Sequence, residues 1–321
     1  MASPKEASHS IEIAGPNVGG TGYGLLGKSH PLLQWPFPKS FAGLTWRPTI
    51  PSEEQAFAAM HAALTSGCNL WNGGEIYGTP DNNSLTLLKN YYTLYPENAD
   101  KEVLNIKGAT RPGLQPYGSP DYVIESVEDC LQMLGERGRI DMFECARRDP
   151  KVPLKETLGA LAELVDEGKI GGVALCDVSA NTIREAAKIT RIVAVEVELS
   201  LWSTEPLTNG IAEACFELNI PIIAYSPIGR GMFTGRIKSL GDIPQGNVRK
   251  ILARFQPQNF GTNMKLLREL EKMAQKENCT PAQLALAWVR SLSNKERMPR
   301  IIPVPGARTA ERVKEKPSRS S

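Results

Sequence analysis

The apolar positions of this chain change period repeatedly, and from about residue 50 the changes become regular. Phe57, Met60, Ala63 and Leu64 recur at helical spacing within 53–66, and Gly67 follows as a C-cap. The run Asn69-Leu70-Trp71-Asn72 then predicts a short strand. Helical spacing returns at 85–95 and a strand at 103–107. Over 122–134, Val123, Val127, Cys130 and Leu134 fall on one helix face, and 140–145 is a strand. Further helices are expected at 154–166, 180–189, 209–218, 263–277 and 281–291, and further strands at 172–176, 192–199, 221–225 and 300–304.

Strand and helix alternating in this way is the pattern of right-handed βαβ units around a parallel sheet. Seven strands follow residue 68, and 20–26 could supply an eighth. No break marks a second domain. The expectation is therefore α/β, a closed (β/α)8 TIM barrel formed by residues 1–321 as a single domain. In such a barrel, chemistry sits where the strands end.

Composition changes this picture little. The 321 residues are 41% hydrophobic and 22% charged, with a net charge of +2, which exerts no pull toward nucleic acid or a membrane surface. The apolar stretches fall far short of the ~20 residues of a membrane span. The first ten residues are polar and carry Lys5 and Glu6, unlike a signal peptide. Cysteines at 68, 130, 145, 176, 215 and 279 form no CxxC pair and sit in apolar runs, as reduced core cysteines do. The expected setting is the cytoplasm, or the nucleus, and the expected state a monomer. His9, His30 and His61 share no metal-ligand spacing, so no metal is expected.

Two motifs near the start mislead. Residues 22–27 match GxGxxG and residues 22–29 match GxxxxGKS, but both need a following helix to hold phosphate. Pro31, Pro36 and Pro38 exclude that helix.

The informative segment is Trp71-Asn72-Gly73-Gly74-Glu75-Ile76-Tyr77-Gly78, which follows a strand, with Lys107 ending the next. A Tyr and a Lys on adjacent strand ends suit proton donation to a carbonyl oxygen, the ammonium making the phenol a better acid. A packed Tyr beside a solvated Lys would look the same on this ground alone.

Longer motifs resolve the ambiguity. GCNLWNGGEIYGTP, GRIDMFECARRDPKVPLKETLGALAELVDEGKIGGVAL, AYSPIGRGMFTG and IIPVPGARTAERVKE occur in that order and together resemble the aldo-keto reductases over about residues 43–315. The resemblance implies an NADPH-dependent reductase of a small-molecule aldehyde. It makes Tyr77 the general acid and Lys107 its tuning partner. The family's Asp falls on Asn72 and its His on Ala146, two departures. "W-N-G-G-E-x-Y-G-T" and "C-A-R-x-D-P" resemble the fungal pyridoxal reductase branch, which implies reduction of pyridoxal to pyridoxine. For the cofactor the resemblance implies Tyr225 stacked on the nicotinamide and Ser226 with Ile228 along the pyrophosphate. Arg308, Arg312 and Glu315 would lie at the adenine end, where guanidinium groups suit a 2′-phosphate. Glu196 stands where the family has a Gln facing the carboxamide, and Cys176-Asp177 where it has Ser-Asn or Ser-Glu. Trp46 and Arg147 are the candidate substrate contacts.

Two segments depart from the family. Residues 27–42 interrupt its first block as an atypical insertion that disrupts the first strand-loop. The tail 316–321 is short, and Pro317 truncates the last helix. Two function classes follow: a working NADPH-dependent aldehyde reductase, or a catalytically impaired aldo-keto reductase fold acting as a pseudoenzyme or regulatory subunit.

Overall fold

The structure, a computed structural model, describes residues 39–40, 42–46, 49–111 and 115–314. Eight parallel strands are hydrogen-bonded in chain order. They are β1 (Lys39–Ser40), β2 (Leu70–Gly74), β3 (Val103–Gly108), β4 (Met142–Cys145), β5 (Val173–Cys176), β6 (Ile192–Glu198), β7 (Ile222–Tyr225) and β8 (Ile301–Val304). Between them run α1 (Ala42–Thr45), α2 (Glu53–Thr65), α3 (Ser84–Leu94), α4 (Pro120–Leu134), α5 (Leu154–Asp166), α6 (Ala180–Ala186), α7 (Ile211–Glu217), α8 (Pro257–Lys276) and α9 (Pro281–Ser291), with α10 (Ala310–Lys314) last. This is the parallel, nearly closed barrel that the alternation predicts; among the described residues β8 and β1 share no ladder.

The helices form where the apolar spacing and the caps agree. On α4, Val123, Val127, Cys130 and Leu134 are the buried stripe. On α5 the stripe is Leu154, Leu158, Leu161 and Leu164, each leucine worth about 1.5–3 kcal/mol of burial. The Ser52 side chain accepts from Gln55 N at the start of α2, and Thr280 with Gln283 forms a capping box before α9. The sequence pattern does not foresee two short hairpins, Gly78–Thr79 with Asn82–Asn83 and Thr110–Arg111 with Gln115–Pro116, which lie just beyond β2 and β3.

The strand beside β2 is Lys39–Ser40, paired with Trp71 and Asn72. It belongs to the segment read from sequence as an insertion. The stretch 20–26, the two phosphate-loop lookalikes, Glu315 and the tail 316–321 all lie outside the described residues.

The barrel interior has two unlike layers. Leu70, Met142, Ala174, Ala194, Ile223 and Ile302 pack into one apolar layer. Two residues further along their strands, on the same inward face, stand Asn72, Glu144, Cys176, Glu196 and Tyr225. Asn105 and Lys107 of β3 join this second layer, with Asn105 opposite Asn72 and Lys107 opposite Glu144 in register.

Candidate active site

Lys107 is the centre of the polar layer. It is 5% exposed, Glu144 0% and Glu196 1%, so one cation and two acids share a site shielded from bulk solvent. The ammonium pairs with Glu144 Oε1 and lies 2.9 Å from Glu196 Oε1. It also donates to Cys176 Sγ at 3.4 Å. Burial works against the charge on Lys107, but its partners, the carboxyls of Glu144 and Glu196 among them, outweigh burial, and its pKa rises well above the lysine range.

Asn72 holds Glu196 rather than Lys107. Its Nδ2 donates to Glu196 Oε2 at 2.6 Å, and Asn105 Nδ2 donates to the same oxygen at 3.0 Å and to Glu144 Oε1 at 2.8 Å. Both Glu196 oxygens are therefore engaged inside the protein by Lys107 and the two amides, at the position expected to face a carboxamide. The sequence reading quoted Glu144 within FECARRD without singling it out. Its signal was there: a carboxylate in a short apolar strand, on the face that also carries Met142.

Tyr77 stands over this layer. Its hydroxyl donates to Asn72 Oδ1 at 3.4 Å, its carbonyl accepts from Thr45 Oγ1 at 2.5 Å, and its ring stacks on Trp46 with centroids 5.7 Å apart. Burial raises the phenol pKa above its usual value, and Lys107 pulls it down by less. Burial outweighs the effect of Lys107, so the phenol stays protonated and available as a donor. The chain turns immediately after Tyr77 at Gly78 (φ 138°), where a Cβ would lie 2.1 Å from Asn82 O, so no larger residue fits. Ser84 Oγ accepts from Gly74 N at 2.8 Å and donates to Gly74 O at 2.9 Å, fixing the end of β2.

At the mouth, Ala146 is 3% exposed, and beside it Arg147 projects half-exposed. Arg147 Nη1 lies 2.9 Å from Asp177 Oδ2, and the Tyr225 hydroxyl donates to the same oxygen at 2.9 Å. Arg147 also reaches Cys176 Sγ at 3.5 Å. Tyr225 thus closes β7 with its hydroxyl anchored. Trp46 is 41% exposed on the opposite rim, with α1.

After Tyr225 the backbone enters left-handed conformations at Ser226 (φ 53°), Gly229 (φ 58°), Arg230 (φ 53°) and Gly231 (φ 91°). This loop, which includes Ile228, rests on a separate apolar cluster of Met232, Phe233, Phe255, Phe260 and Leu267. Arg230 Nε is buried without a hydrogen-bond partner among the described residues. Glu198 pairs with Arg230 at 3.3 Å and with Arg254 at 2.5 Å. Burial and the neighbouring Arg308 guanidinium depress the Arg249 pKa. Neither Arg249 nor Arg308 has a carboxylate within ion-pair distance among the described residues. Arg308 is held by its carbonyl, which accepts from Gln55 Nε2 at 2.9 Å, and Arg312 follows on α10, next to α2. Arg249, Arg230 and Glu198 were not foreseen. They come together through a long loop whose path no periodicity records.

Among the described residues, no group of three or more His, Cys, Asp or Glu could hold a metal ion, and no helix is long and apolar enough to cross a membrane.

The aldo/keto reductase family model matches residues 41–317. Over 284 residues the chain is 40% identical to "Probable pyridoxal reductase 2" of Schizosaccharomyces pombe, covering 87% of this chain and 84% of that one. It is 37% identical over 316 residues to a candidate pyridoxal reductase of Saccharomyces cerevisiae, covering 92% and 86%. The fold is similar to that of a glycerol dehydrogenase from Gluconobacter oxydans, with a TM-score of 0.73 at 23% identity over 86% of this chain and 84% of that one.

Proposed function

The chain belongs to the aldo/keto reductase family, and from that premise we propose that it uses NADPH to reduce an aldehyde, with pyridoxal to pyridoxine as its reaction. The observation that carries this reading is the burial of Tyr77 and Lys107 together at the strand ends where barrel chemistry occurs, with the Tyr77 hydroxyl joined to the polar layer through Asn72. Pyridoxal as the substrate is supported by the relatives, two of which bear pyridoxal reductase names at 40% and 37% identity.

Members of the family use a nicotinamide dinucleotide, which when bound supplies the hydride. The donors after β7 and β8 fit such a group. Arg230 Nε is buried and unpartnered, and Arg249 with Arg308 forms a cationic pair without an acid among the described residues. Guanidinium groups so placed suit phosphate oxygens and favour NADPH over NADH. Tyr225, Ser226 and Ile228 would line the nicotinamide and pyrophosphate. Arg312 and Glu315 would complete the adenine end.

Tyr77 donates its phenolic proton to the carbonyl oxygen as negative charge develops there, and the ammonium of Lys107 stabilises the phenolate left behind. Trp46 and Arg147 flank the aldehyde. Arg147, already oriented by Asp177, suits the phenolic oxygen of pyridoxal. Pyridoxal's own hydroxyl, adjacent to its aldehyde, takes over the orienting role that Ala146 cannot perform. The protein acts on these small molecules as a cytoplasmic monomer, its six cysteines unpaired.

The test is NADPH oxidation by the purified protein with pyridoxal and with nitrobenzaldehyde. Pyridoxal turnover is expected, and Arg147→Ala should raise its KM about tenfold while changing nitrobenzaldehyde little. Intact NADPH binding with no oxidation by either aldehyde would favour the second class, a fold impaired by the loss of the His at 146. A hundredfold gain for pyridoxal in Ala146→His would defeat the idea that the site is adapted to alanine.

A further inference from the structure

In the polar layer two acids face one cation. Glu144 and Glu196 both contact the Lys107 ammonium, and all three side chains are cut off from solvent. Asn72, in the place of the family's carboxylate, contributes no charge. It donates to Glu196 instead. Were both acids ionised, the cluster would hold a net negative charge in a site shielded from bulk solvent. Glu144 Oε2 has no hydrogen-bond partner among the described residues, while Glu144 Oε1 and Glu196 Oε1 meet at the same ammonium. A single proton held by the two carboxyls makes the cluster neutral.

We infer that Glu144 and Glu196 share one proton and jointly supply the single negative charge that keeps Lys107 an ammonium, replacing the carboxylate that Asn72 does not provide. They are positioning residues, acting on Tyr77 through Lys107. Burial, then the charge of Glu196, raises the Glu144 pKa well above the carboxylate range, and Lys107 opposes this in part. The other titratable groups facing Lys107 are Cys176 and Tyr77, and burial raises both, which keeps thiol and phenol neutral. The charge balance therefore lies with the two glutamates. The arrangement also explains why Asn rather than Asp stands at 72, since an aspartate would oppose Glu196 and could not donate to it.

The inference deepens the proposed reduction and relies on Tyr77 and Lys107 as its proton-donating pair, whatever the aldehyde. A shared charge predicts redundancy. Glu144→Gln and Glu196→Gln should each lower kcat/KM for nitrobenzaldehyde less than about fivefold, because the remaining glutamate carries the charge. The double variant should lose about a hundredfold or more and shift the alkaline limb of the pH profile to lower pH, as Lys107 gives up its proton. Adding Asn72→Asp to the double variant should restore about tenfold of the rate and move the limb back. A single variant as damaged as the double, or no rescue by Asn72→Asp, would overturn the inference.

Infrared difference spectra test the shared proton without turnover and without the double variant. At pH 8 the wild type should show a protonated-carboxyl band that disappears in either single variant, since the remaining glutamate ionises. A band that survives Glu196→Gln unchanged contradicts sharing. An inactive wild type that shows this band would remove the proposed reaction and leave the charge arrangement standing.

Discussion

The two layers inside the barrel are built by the same strands, on the same inward face, two residues apart. In the lower layer Leu70, Met142, Ala174, Ala194, Ile223 and Ile302 bury only hydrocarbon and thioether. In the upper layer Asn72, Asn105, Lys107, Glu144 and Glu196 are just as buried, but each must find its partner. The lower layer gains stability from burial at about 25 cal/mol per Å2. The upper layer incurs the desolvation of its ions, which can exceed their mutual attraction. A barrel can carry such a layer because the helices and lower core hold the strands, and the proposed chemistry would use it, since a buried phenol gives up a proton more readily beside a fixed cation.

If this division is right, the layers respond differently to substitution. Lys107→Met should be the most damaging change. It leaves two facing carboxyls without a cation, should cost about 3–5 kcal/mol of stability and should abolish measurable turnover. Its pH dependence has a definite sign. The Glu144 pKa is already raised in the folded protein, and losing Lys107 raises it further. The stability of the variant should then be greatest at low pH and fall as the pH rises through the folded-state pKa. Denaturant titrations at pH 5 and pH 8 check this; equal destabilisation at both would mean the acids are not the cause.

Ile223→Ala in the lower layer should cost about 2–5 kcal/mol through the cavity it opens. The folded fraction should retain turnover close to the wild type, because no polar partner is lost. A fall in kcat as deep as that of Lys107→Met would erase the distinction between the layers.

A smaller effect concerns Glu75, which follows β2 and donates its backbone N–H to Lys107 O at 3.1 Å. Burial raises its pKa from 4.5 to about 7, opposed by hydrogen bonds from Thr110, Ser126 and Cys130. The group favours the folded state fully below the unfolded value near 4.5, and this contribution is lost as the pH rises through about 7. Glu75→Gln should flatten the pH slope of stability in that window by about one proton's worth. Glu102, also raised to about 7, supplies a similar slope and should remain unaffected.

Much of the lower layer and its surrounding helices was legible in the sequence. The stripe Val123, Val127, Cys130 and Leu134 became the buried face of α4, and 154–166 and 281–291 matched α5 and α9 to the residue. Local periodicity reports what a strand or helix buries, and it did so here. The upper layer was legible only in part. Tyr77, Lys107 and Asn72 were found because they sit in motifs beside strand ends. Glu144 was not, because a glutamate among Met142, Phe143 and Cys145 acquires meaning only from Lys107, 37 residues away. Glu196 was found for its position, but the contacts that engage both its oxygens join β2, β3 and β6 across the barrel. β1 was missed for a different reason: Lys39–Ser40 has no apolar alternation to mark it as a strand.

The central claim is that the upper layer exists to let Tyr77 protonate a carbonyl. Its most direct test is kcat for NADPH-dependent pyridoxal reduction by wild type and Tyr77→Phe, with NADPH affinity measured on both. Among the described residues the variant loses one hydrogen bond, at 3.4 Å to Asn72, so stability and NADPH binding should change little. The rate should fall by about 10²–10⁴, the usual contribution of a general acid. A Tyr77→Phe enzyme that binds NADPH and reduces pyridoxal at the wild-type rate would contradict the account.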